Sequence, residues 1–524
     1  MRAPQAGAGF GCSAGILRRM AAGLRSNLTL RHARAVVEPV RVDASMEAVI
    51  AAFCGRRCPA ILETSLRSAH GRGISIFACE PVDEFIHTAM DAGCPFARFA
   101  AHAAQYPHVE MNAGGLPFVG GWIGYFSYEA GLTVEGLRTR KQMERVFPAA
   151  HWYLYDSAAV YDHAAEQWYA VAIDLPELAR RLYVPVREKV ARVKAQLVAA
   201  ARLGVPLVRH PPCAHIADVS FADDDAGRDS REDGCEKGFT HQQKDRLESR
   251  SPMLVGSAHP TYAAAFQKAM AYIEAGDIYQ VNLTQRYEVE TTATPLETYL
   301  RLREISPSPY ASFLPWEEGA IISASPELFL ELRDGRVVTR PIKGTRGRGA
   351  DVVEDFARRA ELENSEKDRA ELNMIIDLLR NDLGRVSRYG TVRVVNDGAI
   401  ETHPTVFQRV ATVTGGLRDG VGVAELLRAT MPGGSVTGCP KIRAMQIIDE
   451  LEPHSREVYC GTVGMIGLDG TMTLNLAIRT MLQRGNTVFV YAGGAVVADS
   501  TVEGEYREIE TKAGGMLRAL GAER

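Results

Sequence analysis

Ser325-Pro326-Glu327-Leu328, then an alternating run from Phe329 to Thr339, then Pro341-Ile342-Lys343-Gly344-Thr345: one short stretch carries an acid, a turn and an amine. The run between acid and amine folds over Asp334-Gly335, a strong two-residue hairpin signal. A hairpin turning there brings Glu327 and Lys343 to the same open end. Strict pairing across the turn sets Glu327 opposite Ile342, which leaves Lys343 on the other face. Pro341 cannot donate to the ladder, so a break or bulge there would re-aim Lys343. Alone, the pair reads equally as an exposed ion pair of little energetic weight. The rest of the chain decides between the two.

The 524 residues are 46% hydrophobic and 24% charged, the balance of an ordinary soluble globular protein, and they suffice for a large core. A formal net charge of −4, with no basic stripe carrying interleaved aromatics, argues against nucleic acid as partner. No stretch approaches the length of a membrane-spanning helix. Of nine Cys, only Cys54 and Cys58 lie close together, and no second pair completes a zinc pattern. Reduced thiols in a cytoplasmic compartment are expected.

Residues 1–37 hold several Arg, much Ala and Gly, and no Asp or Glu. They read as a variable or disordered extension, with an organellar targeting segment, or an upstream start before Met20, as alternatives. Residues 38–205 mix strand-like runs (Phe118 to Phe126, Trp152 to Tyr161) with a helix expected over Pro176 to Leu203. Residues 206–258 are polar and charged and cannot bury enough apolar area to offset their ordering entropy, so a mobile linker is expected there. Residues 259–524 hold most of the chemistry.

Arg369 to Asp382 is apolar nearly all round, with Leu372, Ile375, Ile376 and Leu379 at helical spacing, which predicts a buried helix. Glu371 on it is costly unless neutralised, either by Lys367 one turn back or by a metal. Near the C-terminus, Glu505, Glu508 and Lys512 share one helical face beside a core stripe of Tyr506, Ile509, Ala513 and Met516. Pro432-Gly433-Gly434-Ser435-Val436-Thr437-Gly438 leads into a helix expected over Pro440 to Leu451, and such a loop offers free amides to an anion.

These blocks stand in the order found in the chorismate-utilising enzymes, together with Gly276-Asp277-Ile278-Tyr279-Gln280-Val281-Asn282-Leu283, Tyr459-Cys460-Gly461, Ala477-Ile478-Arg479-Thr480 and Ala492-Gly493-Gly494. From Pro260 onward the chain resembles that family, and Ile61-Leu62-Glu63-Thr64 and Gly120-Gly121-Trp122-Ile123-Gly124-Tyr125 extend a weaker likeness to the first part. The resemblance implies an α+β fold of large antiparallel sheets packed together and flanked by helices. It implies Mg²⁺ held by Glu371 and Glu508, with Glu505 beside them. It also implies a pocket for the two carboxylates of chorismate lined by Tyr459, Arg479, Gly493, Gly494 and Lys512, with Thr437 and Gly438 from the loop.

Within the family, isochorismate and salicylate synthases use a Lys to activate water where this chain has Gln280. An amide is no base, which points to ammonia as nucleophile. Lys343 resembles the aminodeoxychorismate synthases, in which that Lys attacks C2 as a neutral amine and Glu327 would be the acid protonating the leaving C4 hydroxyl. Anthranilate synthases usually carry Pro-Ile-Ala there, and a His at the position of Gln408 near His403. No Gly-x-Cys-x-Gly element of a glutamine amidotransferase is present, so a separate glutaminase subunit and a separate downstream lyase are expected partners. Anthranilate synthase component I is the alternative. A catalytically silent chorismate-binding subunit is opposed by Lys343, Glu327, Glu371 and Glu508 occurring together.

Overall fold

In the computed structural model of the chain, the Asp334-Gly335 turn forms with both residues at positive φ, 52° and 70°. Arg333 pairs with Arg336, Leu332 with Val337 and Glu331 with Val338. The register then slips, and Leu328 pairs with Arg340. Pro341 ends that partnership: Ile342–Gly347 pairs instead with Val406–Gly416, with a second slip between Ile342 and Thr345. Lys343 and Gly344 (φ 81°) fall in that irregularity, so the break at proline does re-aim the amine.

The structure describes residues 33–66, 73–109, 115–137, 139, 141, 147–175, 184–203, 216–217 and 260–522. Among them, twelve strands make one antiparallel sheet and ten make another. The first runs through Ala35–Val40, Gln167–Ile173, Ser157–Asp162, Ile74–Ala78, Ala60–Glu63, Tyr310–Pro315, Ala320–Ser325, Thr480–Arg484, Thr487–Val496, Gln280–Glu290 and Gly438–Cys439, with 216–217 also on Gln280–Glu290. The second runs through Ile342–Gly347, Val406–Gly416, Arg336–Arg340, Leu328–Arg333, Met472–Leu476, Thr462–Gly467, Gly121–Phe126, Ala150–Tyr155 and Asp83–His87, with Arg393–Thr402 also on Val406–Gly416. Each sheet takes strands from both sides of the polar stretch: Ile61 pairs with Phe313, and Ile123 with Met465. One hydrophobic cluster draws on both sheets, with Trp122, Trp152, Ile322 and Leu474 all buried. The fold is α+β with helices flanking the sheets, as the resemblance implied.

Local expectations fared unevenly. The run Trp152 to Tyr161 is two strands in different sheets, divided at Asp156, whose carboxylate turns to Lys189 at 2.6 Å. The strand expected from Phe118 begins at Gly121. The helix expected from Pro176 begins at Val186, with Pro185 as its cap; residues 176–183 lie outside the described residues. The boundary drawn at residue 37 cuts the strand Ala35–Val40, while 1–32 are not described. Of the expected linker only Ile216–Ala217 is described, and it pairs with Val289 and Glu288. The helix read as buried all round is Glu366–Gly384, and it is amphipathic, with Asn373, Asp377 and Arg380 exposed.

Arg456 joins the pieces that carry the site. Its fully buried guanidinium donates to Glu452 (Nε, 2.9 Å), to the carbonyl of Val436 in the glycine-rich loop (2.7 Å) and to that of Asn282 (2.9 Å), and it lies 4.8 Å from the Tyr128 ring centroid. Arg456→Met would strand Glu452 in the interior. Urea unfolding should show a loss of about 3–5 kcal/mol, the cost of breaking one side of a buried pair; a loss below about 1 kcal/mol would mean that water reaches Glu452.

Candidate active site

Glu327 precedes the strand Leu328–Arg333 and is almost wholly buried. Ser435 Oγ donates to its carboxylate at 2.8 Å, and the Ile342 N–H donates as well. Burial pushes the Glu327 pKa up to about 7, against the downward pull of the Ser435 hydrogen bond, Lys343 and Lys512. A carboxyl poised near neutrality is suited to handing a proton to a leaving group. Ser435 stands in the short turn Gly434–Val436 of the glycine-rich loop, which folds over the hairpin end.

Lys343 is largely buried, with its Nζ 3.9 Å from Glu371 on the helix Glu366–Gly384. Lys367 on the same helix reaches Glu371 at 3.9 Å and Glu505 at 3.7 Å, and Lys512 reaches Glu508 at 2.7 Å. Glu505 and Glu508 rise from Val502–Ala519, so two helices aim carboxylates at one another across Lys343 and Lys367. Burial pushes the Glu371 pKa up, opposed by Lys343 and Lys367 and helped by Asp368 and Glu508. Burial also raises that of Glu505, against its hydrogen bond from Ser500. Burial works the same way on Glu508, yet Lys512 and the other lysines hold its carboxyl below the usual range.

Among the described residues, no set of three or more His, Cys, Asp or Glu side chains is arranged to hold a metal ion. Two facing carboxylates with oxygen donors only nevertheless suit a cation that keeps most of its waters, as Mg²⁺ does. Lys367, lying between Glu371 and Glu505, marks where positive charge is called for.

Next to this cluster the first sheet splits. Thr480–Arg484 pairs with the following strand only as far as Met481 opposite Val490, while that strand continues to Val496. From Tyr491 to Val496 one backbone edge therefore has no strand partner on that side among the described residues. Arg479, at φ 50°, sits where the strands part. Burial lowers the pKa of its guanidinium, which has no carboxylate partner among the described residues. Lys512 Nζ donates to the Gly493 carbonyl at 2.9 Å, and a Cβ on Gly494 would lie 3.0 Å from Glu505 Oε2. Tyr459 stacks on Tyr491 with centroids 5.3 Å apart. A desolvated guanidinium beside a bare strand edge is a place for a carboxylate.

Gln280 pairs with Cys439 and is buried, and neither atom of its amide has a hydrogen-bond partner among the described residues. Gly438 lets the loop press on it, since a Cβ there would lie 2.2 Å from the Gln280 carbonyl oxygen. Thr437 turns its hydroxyl to the Gly433 carbonyl at 3.0 Å, so here it braces the loop. Gln408 pairs with Thr345, and His403 lies 3.8 Å from Glu401 with its pKa lowered by burial. Sequence reasoning gave no role to Ser435; its only signal was a hydroxyl at the centre of a loop read as an anion cradle. The largest cavity described, about 760 Å³, lies elsewhere, lined by Leu62, Glu63, Thr64, Tyr310, Arg340 and Asn475. There Glu63 is already held by Tyr299 and Arg303, each at 2.8 Å.

The sequence matches the chorismate binding enzyme family over residues 63–518. Aminodeoxychorismate synthase component 1 of Klebsiella aerogenes is 35% identical over 457 residues, 87% of this chain and 86% of that protein. Anthranilate synthase component 1 of Thermus thermophilus is 35% identical over 423 residues, 80% of this chain and 82% of that one. Among solved structures, anthranilate synthase component I from Streptococcus pneumoniae superposes with a TM-score of 0.67 at 29% identity, covering 86% of this chain and 93% of that chain.

The Glu327 environment has a spectroscopic consequence. A carboxyl band should titrate near pH 7 in infrared difference spectra and be missing in Glu327→Gln. Ser435→Ala removes a hydrogen bond that favours the charged form, so the same titration should move to higher pH. A midpoint that stays put or falls would mean that Ser435 does not hold the carboxylate.

Proposed function

Because the chain belongs to the chorismate binding enzyme family, we propose that it is component 1 of an aminodeoxychorismate synthase, converting chorismate and ammonia to 4-amino-4-deoxychorismate for p-aminobenzoate and folate synthesis. Ammonia would come from a separate glutamine amidotransferase subunit, and a separate lyase would act next. A cytoplasmic setting is in keeping with the free Cys residues and with the lack, among the described residues, of a helix long and apolar enough to cross a membrane.

Identity does not separate amination at C4 from anthranilate formation, since relatives of both kinds reach 35%. The observation that carries the reading is Lys343 within electrostatic reach of the buried Glu327 carboxyl, with Gln280 where a water-activating base would otherwise stand. In this scheme the neutral Lys343 Nζ forms a bond to C2, the ring π electrons shift, and the C4–O bond breaks. The departing oxygen takes the Glu327 proton and leaves as water. Ammonia then bonds to C4, the π electrons return, and the C2–N bond to Lys343 breaks, releasing the product and the amine. Arg479, the bare edge at Gly493 and Gly494, and Lys512 would orient the substrate carboxylates, with Tyr459 walling the pocket. Glu371 and Glu508, with Glu505, would hold Mg²⁺, which supplies positive charge opposite a substrate carboxylate when bound.

Chorismate, Mg²⁺ and ammonium should give a product with the mass of aminodeoxychorismate and no pyruvate. Fluorescent anthranilate as the main product would overturn the assignment. Lys343→Ala should keep substrate affinity but lose on the order of several kcal/mol of transition-state stabilisation; an adduct on the Lys343 peptide, trapped from wild type without ammonia, checks the covalent step. Glu371→Gln and Glu508→Gln should each raise the Mg²⁺ concentration needed for half-maximal activity, and unchanged Mg²⁺ curves in both would remove the metal assignment.

A further inference from the structure

A cavity of about 230 Å³, separate from the largest one, lies against the strand Gln280–Glu290, enclosed by the helix Pro260–Glu274 and by residues 450–456. Pockets for drug-sized molecules run to roughly 300–1,000 Å³, so this one suits a single ring with a small substituent. Tyr262 and Tyr491, both buried, give it aromatic walls, and Leu283, Ala264 and Ala265 add apolar surface. The polar atoms in it want an acceptor. Arg286 has Glu288 on a terminal nitrogen, but its Nε has no hydrogen-bond partner among the described residues, and neither has Thr284 Oγ1 or Tyr262 Oη. Thr284 and Arg286 stand two apart on the strand and so share one face. Among the described residues three cations line the cavity, Lys268, Arg286 and Arg456, against two carboxylates, and both carboxylates are engaged. Glu452 accepts from Arg456 and from the Thr284 N–H, and Glu450 accepts from the Tyr272 hydroxyl at 2.9 Å. His454 in the same wall senses the surplus: burial, Arg286 and Lys141 push its pKa down to about 4, so it stays neutral.

We propose that this cavity is a regulatory site for a small aromatic carboxylate, a benzoate-sized anion whose ring lies against Tyr262 and Tyr491 and whose carboxylate accepts from Arg286 Nε and Thr284 Oγ1. The free donors select the anion, because an unpaired Arg N–H and a buried hydroxyl are costly until a carboxylate takes them. The walls select the ring. Glu327, Lys343, Arg479 and Lys512 are not in the lining, so the cavity is distinct from the chorismate pocket. It is nevertheless joined to that pocket, on the reading that Tyr459 and the glycine-rich loop wall it. Tyr491 stacks on Tyr459, and Tyr262 packs against Tyr506, centroids 5.4 Å apart, on the helix that carries Glu505 and Glu508. Arg456, which holds the loop at Val436, is in the cavity wall as well. An occupant therefore presses on three groups that position the chorismate site without entering it.

Calorimetric titration of the full chain with sodium benzoate tests this. Benzoate should bind with a Kd of about 1 mM or tighter, the scale of a small ligand with one charged contact. Benzamide, its uncharged isostere, should bind about tenfold more weakly or worse, the order of one charge-assisted hydrogen bond, and Arg286→Gln should cost benzoate a similar factor. Ala264→Trp, on an exposed position of the cavity wall, should block benzoate while leaving every donor in place, and it keeps the test alive if Arg286→Gln fails to fold. Without ammonia, so that no turnover occurs, rising benzoate should shift the Kd for chorismate by about fivefold or more and then level off, the size of ordinary coupling between sites. No benzoate binding, equal binding of benzamide, or unchanged binding in both variants overturns the site. A chorismate Kd that rises in proportion to benzoate without levelling would place benzoate in the chorismate pocket, and one that does not move overturns the regulatory role. Failure of the wild-type chain to aminate chorismate at any ammonium concentration would instead overturn the underlying reading of function, while benzoate binding would still be decided by the titration.

Discussion

The site hangs on one buried ion pair. Glu452 accepts from Arg456 and also from the backbone N–H of Thr284 at 2.9 Å, while Arg456 reaches back to Val436 and Asn282. Those contacts lock the glycine-rich loop, the strand that begins at Gln280 and the end of the helix Lys441–Leu451 into one register. Desolvating both charges is expensive, so such a pair is a poor source of net stability. Its use here is positional: a planar guanidinium with five donors can hold two carbonyls and a carboxylate at once, which no apolar residue of that size can do.

The chemistry is placed where electrostatics oppose folding at neutral pH. Lys343, Lys367 and Lys512 stand among Glu327, Glu371, Glu505 and Glu508, yet burial leaves three of the four carboxyls above their ordinary range, only Glu508 being held below it. The sign follows from linkage. A carboxyl whose folded pKa is raised favours the folded state when protonated, and that contribution is lost as pH rises from its unfolded value of 4.5 through its folded one, about 7 for Glu327. Near pH 7 the molecule therefore carries these groups at a cost, a pattern common where a titrating group serves catalysis.

Much of this was legible in sequence because the signals are local. The two-residue turn at Asp334-Gly335, the break at Pro341 and the apolar stripe Tyr506-Ile509-Ala513-Met516 each depend on spacing within a few residues, and each formed. The division of Trp152 to Tyr161 between two sheets was not legible, because it depends on Lys189 meeting Asp156 from a distant helix. Helix burial was overestimated for Glu366–Gly384, since an apolar majority does not say which side faces solvent. The grouping of Glu371 with Glu508 came from the resemblance, as nothing local joins residues on two helices so far apart in the chain. Ser435 was missed for the same reason: its partner Glu327 lies 108 positions away.

The interleaving of strands also bears on how the chain reaches its native state. Ala60–Glu63 has Ile74–Ala78 on one side and Tyr310–Pro315 on the other, and Gly121–Phe126 lies against Thr462–Gly467. Neither sheet can close until almost the whole polypeptide has left the ribosome. The early-synthesised strands must wait with open edges, and contacts of such high sequence separation are slow to form. Nascent chains of this architecture are therefore exposed to edge-to-edge association and depend on holdase chaperones more than a protein built from sequential hairpins would.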